Sequence, residues 1–341
     1  MRTLCGVLFF RVHNLLQRIS YYKHILCYNT CKISNKGDLM IDGFYDRYMY
    51  TPMPEMHNEM IPVTVGCSYG KCIYCDLNVG KRFKVFDIED VKKYIQDREI
   101  FYEDKRFTPK KFTLLEGNAL CLKNDYLTEI LKEIKKNFPN MKYVSCFSRS
   151  DDILRKTDEE LMELKNLGLD RICIGIESGS DWVLSYHKKG VTSQEQLTAL
   201  HRIDNLGIKY SVYIMLGLGG EAHSREHIMK TAEFLNRVNP FEIVVVNLVL
   251  FKNAKLVENV RNHDFKRVSI RQQIQEEIML VENLNIRCVY NGTHKTKAVA
   301  VTSVIPDKKD EIIAVLKQRL EDDDKEMNKK ERKKWNRWDE G

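Results

Sequence analysis

The chain has 341 residues, 43% hydrophobic and 30% charged, which excludes collagen-like, mucin-like and wholly disordered polymers. No apolar run approaches the ~18 residues a membrane-spanning helix needs. The formal charge is +7, but residues 1–37 contain six basic residues (Arg2, Arg11, Arg18, Lys23, Lys32, Lys36) and no acid, leaving +1 for the other 304. Net charge is therefore no argument for a nucleic-acid partner.

Residues 1–39 read as a basic N-terminal extension: a targeting segment, or residues preceding a true start at Met40. From residue 61 the pattern becomes regular. Ile61–Val65 reads as a strand ending in Gly66-Cys67. Ile88–Tyr102 is helical, Lys111–Leu115 a strand, and Asp125–Phe138 an amphipathic helix stopped by Pro139. Tyr143–Phe147 is a strand, and Thr157 caps a helix that Gly168 ends. Strand Arg171–Ile176 and helix Ser193–Leu206 follow, then strand Ile208–Leu216, helix Ser224–Val238 and strand Glu242–Leu250. Six nearly continuous apolar strands alternate with five helices, which predicts a parallel sheet buried on both faces. Periodicity does not choose between an open doubly wound sheet and an incomplete barrel.

Beyond residue 250, a helix over Ser269–Asn285, strands at Ile286–Tyr290 and Val299–Val304, and a helix from Asp307 make a small α/β extension. The last 35 residues hold 11 basic and 11 acidic side chains, so residues 321–341 read as a solvated charged tail. The expected division is 1–39 extension, 40–250 core, 251–320 C-terminal extension and 321–341 tail.

Ten cysteines in a chain of this length are no disulfide framework. Cys67, Cys72 and Cys75, spaced C-x4-C-x2-C in the loop after the first strand, read as a metal site. Three thiolates fit an iron–sulfur cluster with one iron left open. Structural zinc needs a fourth ligand, for which His57 is nearest, and three unrelated thiols is the remaining reading. Cys27 and Cys31 are a candidate half of a second site. Scattered free thiols point to a reducing compartment: the cytoplasm, or an organelle matrix if residues 1–37 are a transit segment.

The cysteine loop, with Tyr74 before its last cysteine, resembles the cluster loop of radical S-adenosylmethionine (radical SAM) enzymes, although their common spacing is C-x3-C-x2-C. The resemblance continues in order along the chain. Glu116-Gly117-Asn118 is similar to the family turn that receives the amino group of SAM. Gly175-Ile176-Glu177-Ser178-Gly179-Ser180 resembles a segment of the branch containing methylthiotransferases and coproporphyrinogen-oxidase-like proteins, where the acidic residue lies near the ribose. Lys189 takes the position of the base that meets the SAM carboxylate, and Gly217-Leu218-Gly219-Gly220-Glu221 resembles the adenine-contacting turn. The resemblance covers roughly residues 61–250 and implies a partial (β/α)6 TIM-like barrel with a small C-terminal α/β extension.

It also implies a chemistry: a [4Fe–4S] cluster on the three cysteines cleaves SAM reductively, and the resulting 5′-deoxyadenosyl radical takes a hydrogen from a substrate. The implied partners are SAM, a small-molecule or peptide substrate, and an electron donor such as flavodoxin or ferredoxin. Nucleic acid is not favoured, because bases after residue 250 are balanced by acids. A tRNA-modifying enzyme of this family and a zinc-loop binding module are the competing readings. Arg149 is a candidate for an anionic group of SAM or substrate, against an ion pair with Asp151 or Asp152. Asn247 and His294 are further substrate-side candidates.

Overall fold

The computed structural model describes residues 55, 57–75, 82–103, 105, 107–294 and 296–336, with side chains through 323. The expectations for residues 1–39, for Cys27 and Cys31, and for the end of the tail lie outside the described residues. The main sheet has eight strands in the order β1-β4-β5-β6-β7-β8-β9-β10: Glu59–Pro62, Lys111–Leu115, Tyr143–Ser148, Leu169–Glu177, Lys209–Leu216, Glu242–Asn247, Cys288–Gly292 and Val301–Ile305. Neighbours from β1 to β9 pair in parallel, β10 runs antiparallel to β9, and β1 does not pair with β10. The sheet is thus open, with the strand order of a partial TIM-like barrel.

The expected alternation is present. Helices α1 (Ile88–Glu103), α2 (Asn124–Asn137), α4 (Asp158–Asn166), α6 (Ser193–Asn205) and α7 (Gly220–Leu235) separate the strands. Thr157 and Thr192 each close a capping box on α4 and α6, accepting the N–H of the third helical residue while its glutamate binds back. Every residue of β8 is buried, as expected of a strand covered on both faces. Between the strands and on the inner face, Phe147, Cys173, Tyr213, Val244 and Val246 form an apolar cluster. At the amino end, Glu55 accepts from Tyr143 (3.0 Å) and Arg171 (3.1 Å), closing that end with a polar network.

Several elements differ from the sequence expectation. The first strand is interrupted after Pro62, and the two-residue β2 (Thr64–Val65) leaves the main sheet to pair with β3 (Lys84–Val85). Three one-and-a-half-turn helices were not legible: α3 (Ser150–Arg155), α5 (Asp181–Tyr186) and α8 (Leu256–Arg261). Six residues hold too little periodicity to separate a helix from a loop. The strands of the C-terminal extension join the main sheet. β9 continues the parallel sheet beside β8, pairing Glu242 with Val289, while α9 (Ile270–Asn283) packs on α7 and on α10 (Lys309–Asn336).

Candidate functional site

The carboxyl ends of the parallel strands converge on the cysteine loop. Gly66 turns the chain out of β2 with φ 76°, a left-handed conformation that a side chain disfavours. Its N–H donates to Glu116 Oε2 at 2.6 Å, so the turn after β4 braces the first residue of the loop. Ser68 N–H donates to Asn118 Oδ1 (3.1 Å), and Asn118 Nδ2 donates to Ser68 Oγ (2.7 Å) and to Asp152 Oδ2 (2.8 Å). At the other end of the loop, Ile73 N–H donates to His187 O (3.1 Å) and Ile73 O accepts from Leu256 N–H (2.8 Å). Ile73 and Tyr74 are buried against Val183, Leu218, Leu248 and Phe265, which anchors the stretch between Cys72 and Cys75.

The residues present fit a cluster held by this loop. Cys67, Cys72 and Cys75 are partly exposed, as is Cys121 outside the loop, whereas Cys146, Cys173 and Cys288 are buried. A Cβ on Gly117 would stand 3.0 Å from both Cys67 Cβ and Gly66 O, so only glycine lets the β4 turn approach the loop this closely. Among the described residues no three His, Cys, Asp or Glu side chains gather tightly enough to grip a single ion. His57 does not complete a zinc site: it precedes β1 at the amino end of the sheet, and the loop lies at the carboxyl end.

Two cations face this loop. Lys189, 6% exposed, places Nζ 3.3 Å from Glu177 Oε1. Glu177 ends β6 past a break in the β6–β7 register and has φ 67°, a strained conformation for a non-glycine residue. A Cβ on Gly175 would lie 2.6 Å from Glu177 Oε1 and 3.2 Å from Lys189 Nζ, so the ion pair occupies the space that glycine leaves. Arg149, also 6% exposed, donates from Nε to Asp151 Oδ1 (2.8 Å) and from a terminal nitrogen to Lys189 O (2.9 Å). Burial pushes the Cys72 thiol up, while Lys189 and Arg149 draw it back down.

Several of the expected site residues have partners within the chain. Arg149 is already committed to Asp151 and to the Lys189 carbonyl. Its guanidinium also lies 3.8 Å over the ring of Tyr69, whose hydroxyl donates to Lys188 O at 2.8 Å. Ser178 is fully buried, paired with His227 Nδ1 at 2.8 Å and accepting from Ser180 N–H at 3.0 Å. It holds the turn after β6. Gly217 follows β7 with φ 82°, and Gly219 lets α7 start close by, since a Cβ there would meet His223 O at 2.6 Å. Asn247 donates to Gln273 Oε1 (2.9 Å), and His294 Nδ1 pairs with Thr296 Oγ1 (2.8 Å).

The sequence reading missed Tyr69, His187, His227 and Glu276. His187 is fully buried, bonded through Nε2 to Leu218 O (2.7 Å) and edge-on to Tyr74 at 5.6 Å. Burial holds it neutral, with its pKa lowered to about 4. Its place in the polar run His187-Lys188-Lys189 concealed this. Tyr69 lies among the four residues of the longer cysteine gap, the one local signal that pointed to it.

The Radical SAM superfamily family model matches residues 61–235. Among curated proteins, the chain is 27% identical over 167 residues to a putative methylthiotransferase of Methanocaldococcus jannaschii, covering 45% of this chain and 33% of that protein. It is 25% identical over 196 residues to 4′-phospho-dehydrooxetanocin synthase of Priestia megaterium, covering 51% and 25%. The matches therefore span about a third and a quarter of those relatives' lengths. In fold, it resembles the coproporphyrinogen III oxidase of Escherichia coli, with a TM-score of 0.50, 14% identity, and coverage of 74% of this chain and 56% of that one. No described helix is long and apolar enough to cross a membrane. The match takes in just over half of the chain and every residue of the mouth from Cys67 to Gly219, so the chain belongs to the radical SAM superfamily, enzymes that work with a [4Fe–4S] cluster and S-adenosylmethionine.

Proposed function

We propose that Cys67, Cys72 and Cys75 hold a [4Fe–4S] cluster at this mouth, and that the chain cleaves SAM to start hydrogen abstraction from a small-molecule or peptide substrate. The observation that carries the reading is the joint placement of three partly exposed thiols and a buried Lys189–Glu177 pair at the carboxyl end of one sheet. When bound, the cluster supplies the electron that splits SAM into methionine and a 5′-deoxyadenosyl radical.

The chain's own residues bind and orient. Lys189 offers a cation to the methionyl carboxylate, and Glu177 keeps that ammonium at the mouth and stands toward the ribose. The Glu116-Gly117-Asn118 turn lies beside Cys67 and takes the amino end, with Glu116 also bracing Gly66. Arg149, engaged by Asp151 and the Lys189 carbonyl, acts by fixing Lys189 and Tyr69. Gly217 and Gly219 shape the turn for the adenosyl part. An external one-electron donor, such as a flavodoxin or ferredoxin, feeds the site.

Anaerobic, cluster-loaded protein reduced chemically is expected to release methionine and 5′-deoxyadenosine from SAM slowly, even without its substrate. Iron-replete protein that never cleaves SAM would refute the reading. Candidate substrates are then ranked by how far they accelerate 5′-deoxyadenosine release, with deuterium transfer into that product marking the hydrogen taken.

A further inference from the structure

Helix α9 lies beyond residue 235, where the family match ends, yet it reaches the mouth with a carboxylate. Glu276 is 2% exposed and accepts two hydrogen bonds: Gly217 N–H at Oε2 (2.6 Å) and the Ser224 hydroxyl at Oε1 (2.6 Å). Gly217 directly follows β7, and Ser224 lies in the first turns of α7. One side chain thus ties a strand end, a helix start and α9 together. A Cβ on Gly217 would come within 3.0 Å of Gln273 Nε2, one turn earlier on α9, so the helix and the turn are in direct contact. The polar groups continue behind it. Gln273 Oε1 accepts from Asn247 Nδ2 (2.9 Å), Asn247 Oδ1 accepts from Lys297 Nζ (3.2 Å), and Lys297 is paired with Glu277. A buried carboxylate is costly unless its bonds do something an apolar residue cannot. Here they hold a glycine turn that has no side chain to hold itself.

We infer that Glu276 is a positioning residue for SAM, fixing the Gly217 turn from α9 in the shape that accepts the adenosyl group. The inference rests on the reading of that turn in the proposed function. Glu276 acts through Gly217 and does not touch the ligand. A proton on Oε2 loses the Gly217 bond; one on Oε1 turns the Ser224 hydroxyl into an acceptor and removes the charge that strengthens the Gly217 bond. Burial pushes this carboxyl up to about 7, while Ser224, Gly217 and Lys297 pull it down. Of the other charged groups on the elements around it, Glu277 is paired with Lys297, Lys266 with Glu221, and His223 with Glu226. His227 is held neutral by burial, with its pKa lowered to about 4. The turn is therefore held best above about 7 and loosens as Glu276 takes up a proton below it.

The test uses full-length, cluster-loaded protein under anaerobic conditions, with SAM itself as the probe and iron content read separately. For the wild type, the Kd for SAM is expected to fall as pH rises through about 7. Glu276→Gln is expected to keep its iron, raise Kd and KM about tenfold, leave kcat at saturating SAM unchanged, and lose the pH dependence. Ser224→Ala keeps the carboxylate but removes a bond that lowers its pKa, so Kd rises less and the midpoint of the pH response moves upward. Should Glu276→Gln fail to fold, the Ser224→Ala midpoint decides. Wild type that binds SAM, together with a Glu276→Gln protein of equal affinity and pH response or an unmoved Ser224→Ala midpoint, overturns this inference alone. Iron-replete wild type that binds no SAM overturns the reading of the mouth and this inference with it.

Discussion

At the scale of single residues, the mouth divides into three thiols proposed as cluster ligands and polar side chains already engaged with one another. Changing Cys67, Cys72 or Cys75 singly to Ala is expected to abolish the cluster, while Cys146→Ala or Cys173→Ala leaves iron content intact. Equal iron loss in both sets, read by iron analysis and visible absorbance, contradicts the ligand assignment. Lys189→Ala is expected to weaken SAM binding by about 1.5–3 kcal/mol with the cluster retained, because a charge-assisted bond to the carboxylate is lost. Glu177→Gln leaves the buried Lys189 without its ion pair, so the two changes should not add in a double-mutant cycle measured by SAM affinity.

At the scale of elements, the helices around the mouth are held by caps and by buried imidazoles. Ser269 closes a capping box with Gln272 at the start of α9, and Ser269→Ala is expected to cost about 1 kcal/mol, seen as a lowered Tm. His227 on α7 is buried between Ser178 Oγ (2.8 Å) and Met215 O (3.0 Å), tying the helix to the turn after β6 and to β7. Burial lowers its pKa to about 4, from 6.5 when exposed. Between about 4 and 6.5 the imidazole is neutral in the fold and takes a proton on unfolding. Its contribution to stability is therefore full above about 6.5 and drains away as pH falls toward about 4. Thermal unfolding followed across that range should show a steeper fall in Tm for the wild type than for His227→Gln, and parallel curves would contradict this account.

At the scale of the whole molecule, the part beyond residue 250 completes the sheet. β9 covers the outer edge of β8, and α9 lies on α7. A chain cut after residue 250 is expected to be insoluble or to lose its iron, because the buried edge of β8 would be laid open. A chain beginning at Met40 is expected to bind the cluster and SAM as the full-length protein does. Insoluble or iron-free protein from that truncation would place residues 1–39 in the fold.

The sequence by itself determined the alternation of the main strands with the longer helices, the cap at Thr157, the cysteine spacing and the succession of turns at the strand ends. These are local signals, read over a few residues: an apolar period, a Ser or Thr three positions ahead of Glu or Gln, a glycine where the chain must turn. The tertiary structure decided which polar groups meet. Lys189 and Glu177 are 12 residues apart and pair only because α5 folds back beside the end of β6. Of Arg149's two readings, ligand contact or ion pair, the structure shows the pair with Asp151, and adds the Lys189 carbonyl and the ring of Tyr69, 80 positions earlier. Glu276 reaches Gly217 across 59 residues, once β9 has joined the sheet and α9 has crossed back over α7. Such contacts depend on strand register and on how helices lie across the sheet, and no pattern within a short window of sequence encodes either.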